Sequence, residues 1–138
     1  MASSSRAGAS TVLLDANILI YSATLPFDIA FQLRRLGFSN IRVPFDVLGE
    51  LRGLAMKGGG KSRRFANLAM EIAHGFEPIE LGLPSLAVDD QLLHSAREKG
   101  YIIATTDAGL RRRLRGEGLS VIYLKQGRLI TEAELLTR

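Results

Sequence analysis

No cysteine occurs anywhere in the 138 residues. That absence removes thiolate metal sites, thiol nucleophiles and disulfide frameworks together, and it is compatible with a reducing compartment. Histidine occurs only twice, so an imidazole cluster cannot be built. No apolar run reaches the roughly 18 residues of a membrane span, and the leader MASSSRAGAS lacks the apolar core of a secretory signal. The expectation is a cytoplasmic chain with no membrane partner. What remains is 46% hydrophobic and 23% charged, the balance of a globular protein rather than a disordered one. A chain of this length forms one domain able to bury about two thirds of its surface without staples. Residues 1–10 are small and polar without periodicity and are expected to be loose, leaving 11–138 as the domain. The net charge of +4 and the pI near 9.9 favour an anionic partner. Of the 18 basic residues 14 are Arg, which suits bidentate contacts to phosphate.

Apolar runs and helical periodicities alternate along the chain. Val12 to Leu14 reads as a buried central strand, and Asp15 closes it before Ile18 to Tyr21 resume as a helix. A helical segment with Ile29, Ala30, Leu33 and Leu36 follows Pro26 and stops at Gly37, with Asp28 as an acid of its first turn. Asn40 to Val43 is a strand ended by Pro44. Asp46 is expected to cap the next helix, through Val47, Leu48, Leu51, Leu54 and Ala55, with Glu50 one turn inside. KGGGKSRR then reads as a flexible basic loop. Its Gly-Lys-Ser end is not a phosphate loop, because the required earlier glycine position is Ala55 and no strand leads in. Ser62 is expected to cap a helix with Phe65, Leu68, Ala69, Ile72 and Ala73 on one face. Phe76 to Leu81 is a strand whose Pro78 marks an edge. VDDQLLHSAREKG is a helix stopped by Gly100, residues 101–105 are a strand, and LRRRLRGEG is a short helix with Leu110 and Leu114 inward. Ser120 to Leu124 is the fifth strand. KQGRLI turns at Gly127 into a short extension, and Thr131 with Glu134 forms a capping box for a last helical turn. The fold class is α/β, a three-layer sandwich with a mostly parallel five-stranded sheet.

In such a fold the segments that follow strands emerge at one edge, where ligands bind. Asp15 follows strand one, Glu50 lies in the helix after strand two, Asp89 and Asp90 open the helix after strand three, and Asp107 follows strand four. Asp15 also suits an N-cap, so its position alone leaves two roles open. Two unit charges ~4 Å apart repel by about 4 kcal/mol at an effective dielectric of 20. Several ionised carboxylates in one crevice therefore need protons or metal ions. Oxygen ligands without Cys or a His cluster point to Mg²⁺ or Mn²⁺, which activate water and steady the leaving oxygen in phosphoryl displacement.

The stretches VLLDANILIY, VPFDVLGELRGL, VDDQLLHSAREKGYIIATTD and VIYLKQGRLI resemble a PIN-domain nuclease over about Thr11 to Ile130. Asp15, Ala16 and Asn17 meet the acid, small residue and Asn after strand one. Glu50 with Leu51 meets the helix after a Pro-ended strand, and Asp89, Gly100 and Thr105 to Asp107 meet the third block. The paired Asp89 and Asp90 and YIIATTDAGLRRRLR resemble the branch related to the small-subunit processome PIN endonuclease, with VapC-type toxins as broader relatives. Ala16 stands where Thr is common, and Gly109 where many members of that branch carry a further acid, which puts a second metal ion in doubt.

The resemblance implies a Mg²⁺- or Mn²⁺-dependent endoribonuclease acting in ribosomal or other RNA processing. Asp15, Glu50, Asp89 and Asp107 are the implied catalytic residues. The same four with Asp90 are the metal ligands, Asp89 and Asp90 being alternatives, and Asn17 and Thr105 support them. Arg111, Arg112, Arg113 and Arg115 beside the acids, and Lys57, Lys61, Arg63 and Arg64 in the glycine-rich segment, are candidate RNA contacts. Phosphate contacts position a strand without reading its sequence. His94 reads as the surface partner of Asp90, one turn away. Partners in keeping with the resemblance are RNA, a second copy of the chain, and a ribosome-assembly or antitoxin protein. The rival readings are a VapC-type toxin and a catalytically weak RNA-binding scaffold. A receiver domain would carry its acidic pair after strand one, not here.

Overall fold

The structure is a computed structural model that describes residues 10–25 and 27–132. The chain order is β1 (Thr11–Leu14), α1 (Ala16–Thr24), α2 (Ile29–Arg35), β2 (Asn40–Pro44), α3 (Phe45–Lys57), α4 (Gly60–Ala73), β3 (Glu77–Ile79), α5 (Val88–Lys99), β4 (Ile102–Ala104), α6 (Ala108–Gly116), β5 (Val121–Lys125) and β6 (Arg128–Glu132). No helix among the described residues is long and apolar enough to cross a membrane.

The alternation of side chains along β1 sets the three layers. Val12 and Leu14 point to one face and pack with α1, α2, α3 and α4, through Ile18, Leu33, Val47, Leu51, Ala69 and Ala73. Leu13 points to the other face and meets Leu92 and Leu93 of α5 and Leu110 and Leu114 of α6. Val12, Leu13 and Leu14 are fully buried, and burying each such side chain stabilises by roughly 1.5–3 kcal/mol. A continuous apolar run is what a strand covered on both faces requires.

The sheet order is β3-β2-β1-β4-β5-β6, parallel except for the last pair. From β1 the chain first moves toward β2 and β3, and α5 then carries it back across to β4 on the opposite side of β1. The direction of winding therefore reverses between β1 and β4, and a crevice opens there at the carboxyl ends of the strands. The edge position of β3 accords with Pro78.

Several sequence expectations are corrected. The sheet has six strands, because Gln126 and Gly127, at φ 52° and 76°, form a two-residue hairpin turn that folds Arg128–Glu132 back on β5. Positive φ at both turn residues matches the twist of the flanking strands. Thr131 is thus a strand residue paired with Ile122, while Glu134 and residues 1–9 of the leader expected at 1–10 lie outside the described residues. Asp46 does not cap α3. Strand β2 runs into the helix without a loop, Pro44 takes the cap position, and Asp46 falls in the first turn. Asp28, conversely, is the N-cap of α2, accepting from the Phe31 amide at 3.0 Å. The basic segment is not a flexible loop. Helix α4 begins at Gly60 with Gly59 as its cap, so Lys61, Ser62, Arg63 and Arg64 are helical and lie at its start. Ala66, Ala69 and Ala73 give that helix a buried face, which outweighs the poor propensity of its glycine start. Leu36, Leu54 and Leu68, expected inward, are exposed at the rims of their helices.

Candidate functional site

The end of β1 is fixed to the end of β4 by a chain of polar contacts. The Asp15 amide donates to the Ala104 carbonyl at 3.0 Å, extending the ladder one residue past the strand. The Thr105 hydroxyl donates to Asp15 Oδ2 at 2.8 Å and accepts from the Asp107 amide at 3.0 Å. The Ala16 amide donates to Asp15 Oδ1 at 2.8 Å. Asp15 is therefore an N-cap as well as a site acid, and the two roles are not exclusive. Thr105 is completely buried and Asp15 nearly so, which places a carboxylate inside the protein with only neutral donors around it.

Asp107 caps α6, accepting from the Leu110 amide at 2.9 Å through Oδ1. A side chain at Gly109 would bring a Cβ within 3.2 Å of that same Oδ1. Glycine there leaves the Asp107 carboxylate uncrowded.

The electrostatics tie the four strand-following acids together. Burial pushes the Asp15 carboxyl above the ordinary aspartate range, the bonds from Thr105 and Ala16 oppose that, and the charges of Asp89 and Asp107 push it further. Glu50 is raised by desolvation and then by Asp15, Asp89 and Asp46. By surface area Glu50 is exposed on α3. Asp89 is raised by desolvation and by Asp107, while Arg113 pulls it down. In Asp15, Glu50 and Asp89 burial is the larger cause of the upward shift, and the neighbouring acids add to it. Asp46, read from sequence as a cap, thus belongs to the electrostatic neighbourhood of Glu50. Its Oδ2 accepts from Nε2 of the buried Gln91 at 2.6 Å, which ties the start of α3 to α5. The spacing of Asp46 and Glu50, one helical turn apart, is the signal that could have found this.

The chain's match to known proteins bears on this edge. The profile of the PIN like domain family matches residues 12–127. The chain belongs to the PIN-domain nuclease family. This PIN domain is 31% identical over 118 residues to Ribonuclease VapC9 of Archaeoglobus fulgidus, spanning 86% of this chain and 85% of the relative. Its fold is similar to the PIN domain endonuclease Utp24, with a TM-score of 0.64 at 20% identity, covering 89% of this chain and 91% of that one. It is also similar to a domain of a functionally unknown protein from Methanocaldococcus jannaschii, with a TM-score of 0.56 at 20% identity over 85% and 92% of the two chains. At those identities the structural likeness is one of fold.

Among the described residues of this PIN domain, no three His, Cys, Asp or Glu side chains are drawn together tightly enough to enclose an ion. The chemistry of the donor set nevertheless fits a hard divalent cation. All the donors are carboxylate oxygens whose mutual repulsion a cation relieves, and Mg²⁺ commonly takes only one or two carboxylates and keeps several waters.

The candidate basic residues divide by partner. Arg111 grips both oxygens of Glu132 at 3.1 Å and lies 3.5 Å over the Tyr123 ring, and Arg115 reaches the same carboxylate at 3.3 Å. Arg113 pairs with Asp90 at 2.7 Å, so the ion-pair partner of Asp90 is Arg113 and not His94. Arg112 is exposed. A groove of about 570 Å³ runs from Asn17 and Glu50 past Gly53 to Lys57. Lys61, Arg63 and Arg64 line a second, of about 580 Å³, at the start of α4.

Proposed function

We propose that this PIN domain is a Mg²⁺- or Mn²⁺-dependent endoribonuclease that hydrolyses RNA phosphodiester bonds. The observation that carries this reading is the buried Asp15 carboxylate at the reversal of the sheet, held by Thr105 and raised together with Glu50 and Asp89. Asp15, Glu50, Asp89 and Asp107 would hold the ion, which when bound supplies the charge to activate water and steady the leaving oxygen. Thr105 and the Ala16 amide fix both Asp15 oxygens, so that this carboxylate needs no reorganisation. The groove from Asn17 to Lys57 gives a single strand a path away from the acids, and Lys61, Arg63 and Arg64 add phosphate contacts farther along.

Two biological roles accord with this chemistry, both in a cytoplasmic setting. The first is RNA processing, in which the partner is a ribosome-assembly factor. Identity to Ribonuclease VapC9 over most of both chains supports a second, a toxin ribonuclease held by an antitoxin. A neighbouring gene for a small DNA-binding protein distinguishes the second from the first. The activity itself is tested by cleavage of a single-stranded RNA in protein stripped with chelator and resupplied with Mn²⁺. Asp15→Asn keeps the cap's acceptor but removes the charge, and cleavage should fall by orders of magnitude, whereas Asp46→Asn should retain most of it. Binding of RNA by the wild type without any cleavage would instead identify a scaffold.

A further inference from the structure

The four arginines of α6 are not equivalent, and the difference lies in what holds each one. Arg111 and Arg115 are committed to Glu132, whose side chain is only 15% exposed, and the Arg111 guanidinium also lies over the Tyr123 ring. Arg113 makes a single contact, through Nη2 to Asp90 Oδ1, and both side chains remain nearly half exposed, at 47% and 44%. One bond leaves the other guanidinium N–H groups of Arg113 open to a ligand. Its charge is felt at Asp89, one of the acids at the edge. An exposed pair with one contact adds little stability. The same two parts of the molecule are already tied by a two-bond fork from Arg97 to Glu117, at 2.8 and 2.9 Å.

We propose that Asp90 is a positioning residue and not a metal ligand: its carboxylate holds the Arg113 guanidinium beside Asp89, where that guanidinium contacts the substrate's phosphate. This inference rests on the nuclease reading and names a basic residue whose charge is felt at one of its acids. The planar fork of Arg suits a phosphate, and a carboxylate on one of its corners sets its direction while leaving its other edge free. Asp90 also offsets the Arg113 charge, so that the cation does not compete with a metal ion for Asp89.

The test combines calorimetric titration of Mn²⁺ with binding of a labelled single-stranded oligoribonucleotide in metal-free buffer. Arg113→Gln should tighten Mn²⁺ binding several-fold and flatten the plot of log RNA affinity against log salt by about 0.7, the value of one phosphate contact on a single strand. Asp90→Asn should weaken Mn²⁺ binding several-fold, because it leaves the Arg113 charge uncompensated, and should weaken RNA binding. Arg113→Lys should restore the salt slope and Asp90→Glu the RNA affinity. Arg97→Gln, which breaks the comparable bridge, should change neither readout. Opposite shifts in Mn²⁺ affinity report only that the pair lies near the ion, whereas the change in salt slope and its recovery in Arg113→Lys are not expected of a merely structural bridge. Loss of Mn²⁺ binding in Asp90→Asn would make Asp90 a ligand, and an unchanged salt slope in Arg113→Gln would remove the phosphate contact. Either result in a protein whose wild type binds both probes overturns this inference alone. A wild type that binds neither Mn²⁺ nor RNA overturns the nuclease reading and this inference with it.

Discussion

The acids gathered at the carboxyl edge of the sheet and those around the end of α6 are the same residue types under opposite regimes. At the first place Asp15, Glu50 and Asp89 are raised by burial and by one another. At the second, hydrogen bonds from Arg97 lower Glu117 and those from Arg111 lower Glu132. One set is stabilising as it stands, and the other is a standing cost to the fold. A group of carboxylates that repel one another, one of them buried, is explained by a ligand more readily than by stability. Asp90 sits at the border, adjacent in sequence to Asp89 but paired like the second set.

The largest effect expected from this contrast is on cleavage. Asp89→Asn should lower RNA hydrolysis by orders of magnitude, while Glu117→Gln should leave it near wild type, measured as initial rates with Mn²⁺. Equal losses in the two would erase the distinction between the regimes.

A smaller effect is expected on stability. Thr105→Val removes the hydroxyl that donates to Asp15 Oδ2 and accepts from the Asp107 amide. Leaving those buried groups unsatisfied should cost about 1–3 kcal/mol in denaturant unfolding, and Thr105→Ser should recover most of it. A Val variant as stable as wild type would mean that the link between β1 and β4 is replaceable by packing.

The pH dependence separates the two sets by sign. A raised carboxyl binds its proton more tightly in the folded than in the unfolded state, so its contribution is most favourable below the ordinary value of about 4 and is lost as pH rises through its folded pKa. For Glu132 the order reverses. Its contribution is present above the ordinary glutamate value and is lost as pH falls through its lowered folded pKa. Asp15→Asn should therefore be at least as stable as wild type at pH 7, with the difference shrinking toward pH 4. Glu132→Gln should be less stable at pH 7 by about 1 kcal/mol, the range of a charge-assisted surface network, with that loss fading in acid. Thermal melts across pH 4 to 8 check both signs.

The smallest effect is on salt dependence. Replacing Arg63 and Arg64 together with Gln should lower the salt slope of single-stranded RNA binding by about 1.4, two contacts at about 0.7 each. Replacing Arg111 and Arg115 should leave the slope unchanged and lower the melting temperature instead, because those side chains are committed to Glu132. A slope that falls with Arg111 and Arg115 would transfer the RNA path to the other side of α6.

How much of this could be read from the sequence depends on whether a feature is local. The strands were legible as apolar runs, and the convergence of Asp15, Glu50, Asp89 and Asp107 followed from alternating strands and helices, although Thr105 and Asp15 are 90 positions apart. The sixth strand was missed because Gln-Gly is a weaker turn signal than Asn-Gly and RLITE has little apolar content, though VIYLK and RLITE flank it as a hairpin requires. Asp46 was assigned to a cap because Pro44 reads as a strand end, and nothing local shows that it also begins the helix. Helical spacing puts Arg111 and Arg115 on one flank and Arg112 and Arg113 elsewhere, but the commitment of the first pair to an acid was not legible. It depends on Glu132, 21 residues from Arg111, arriving beside α6 on the strand that was missed.

The proposed nuclease activity requires that the acids at the sheet reversal form a site for a divalent cation. It is tested most directly by calorimetric titration of Mn²⁺ into chelator-free protein. Saturable binding is expected in the wild type and in Glu132→Gln, and loss of that binding in Asp15→Asn and Asp107→Asn. No binding by the wild type at millimolar Mn²⁺, or binding that survives in both Asp variants, would contradict it.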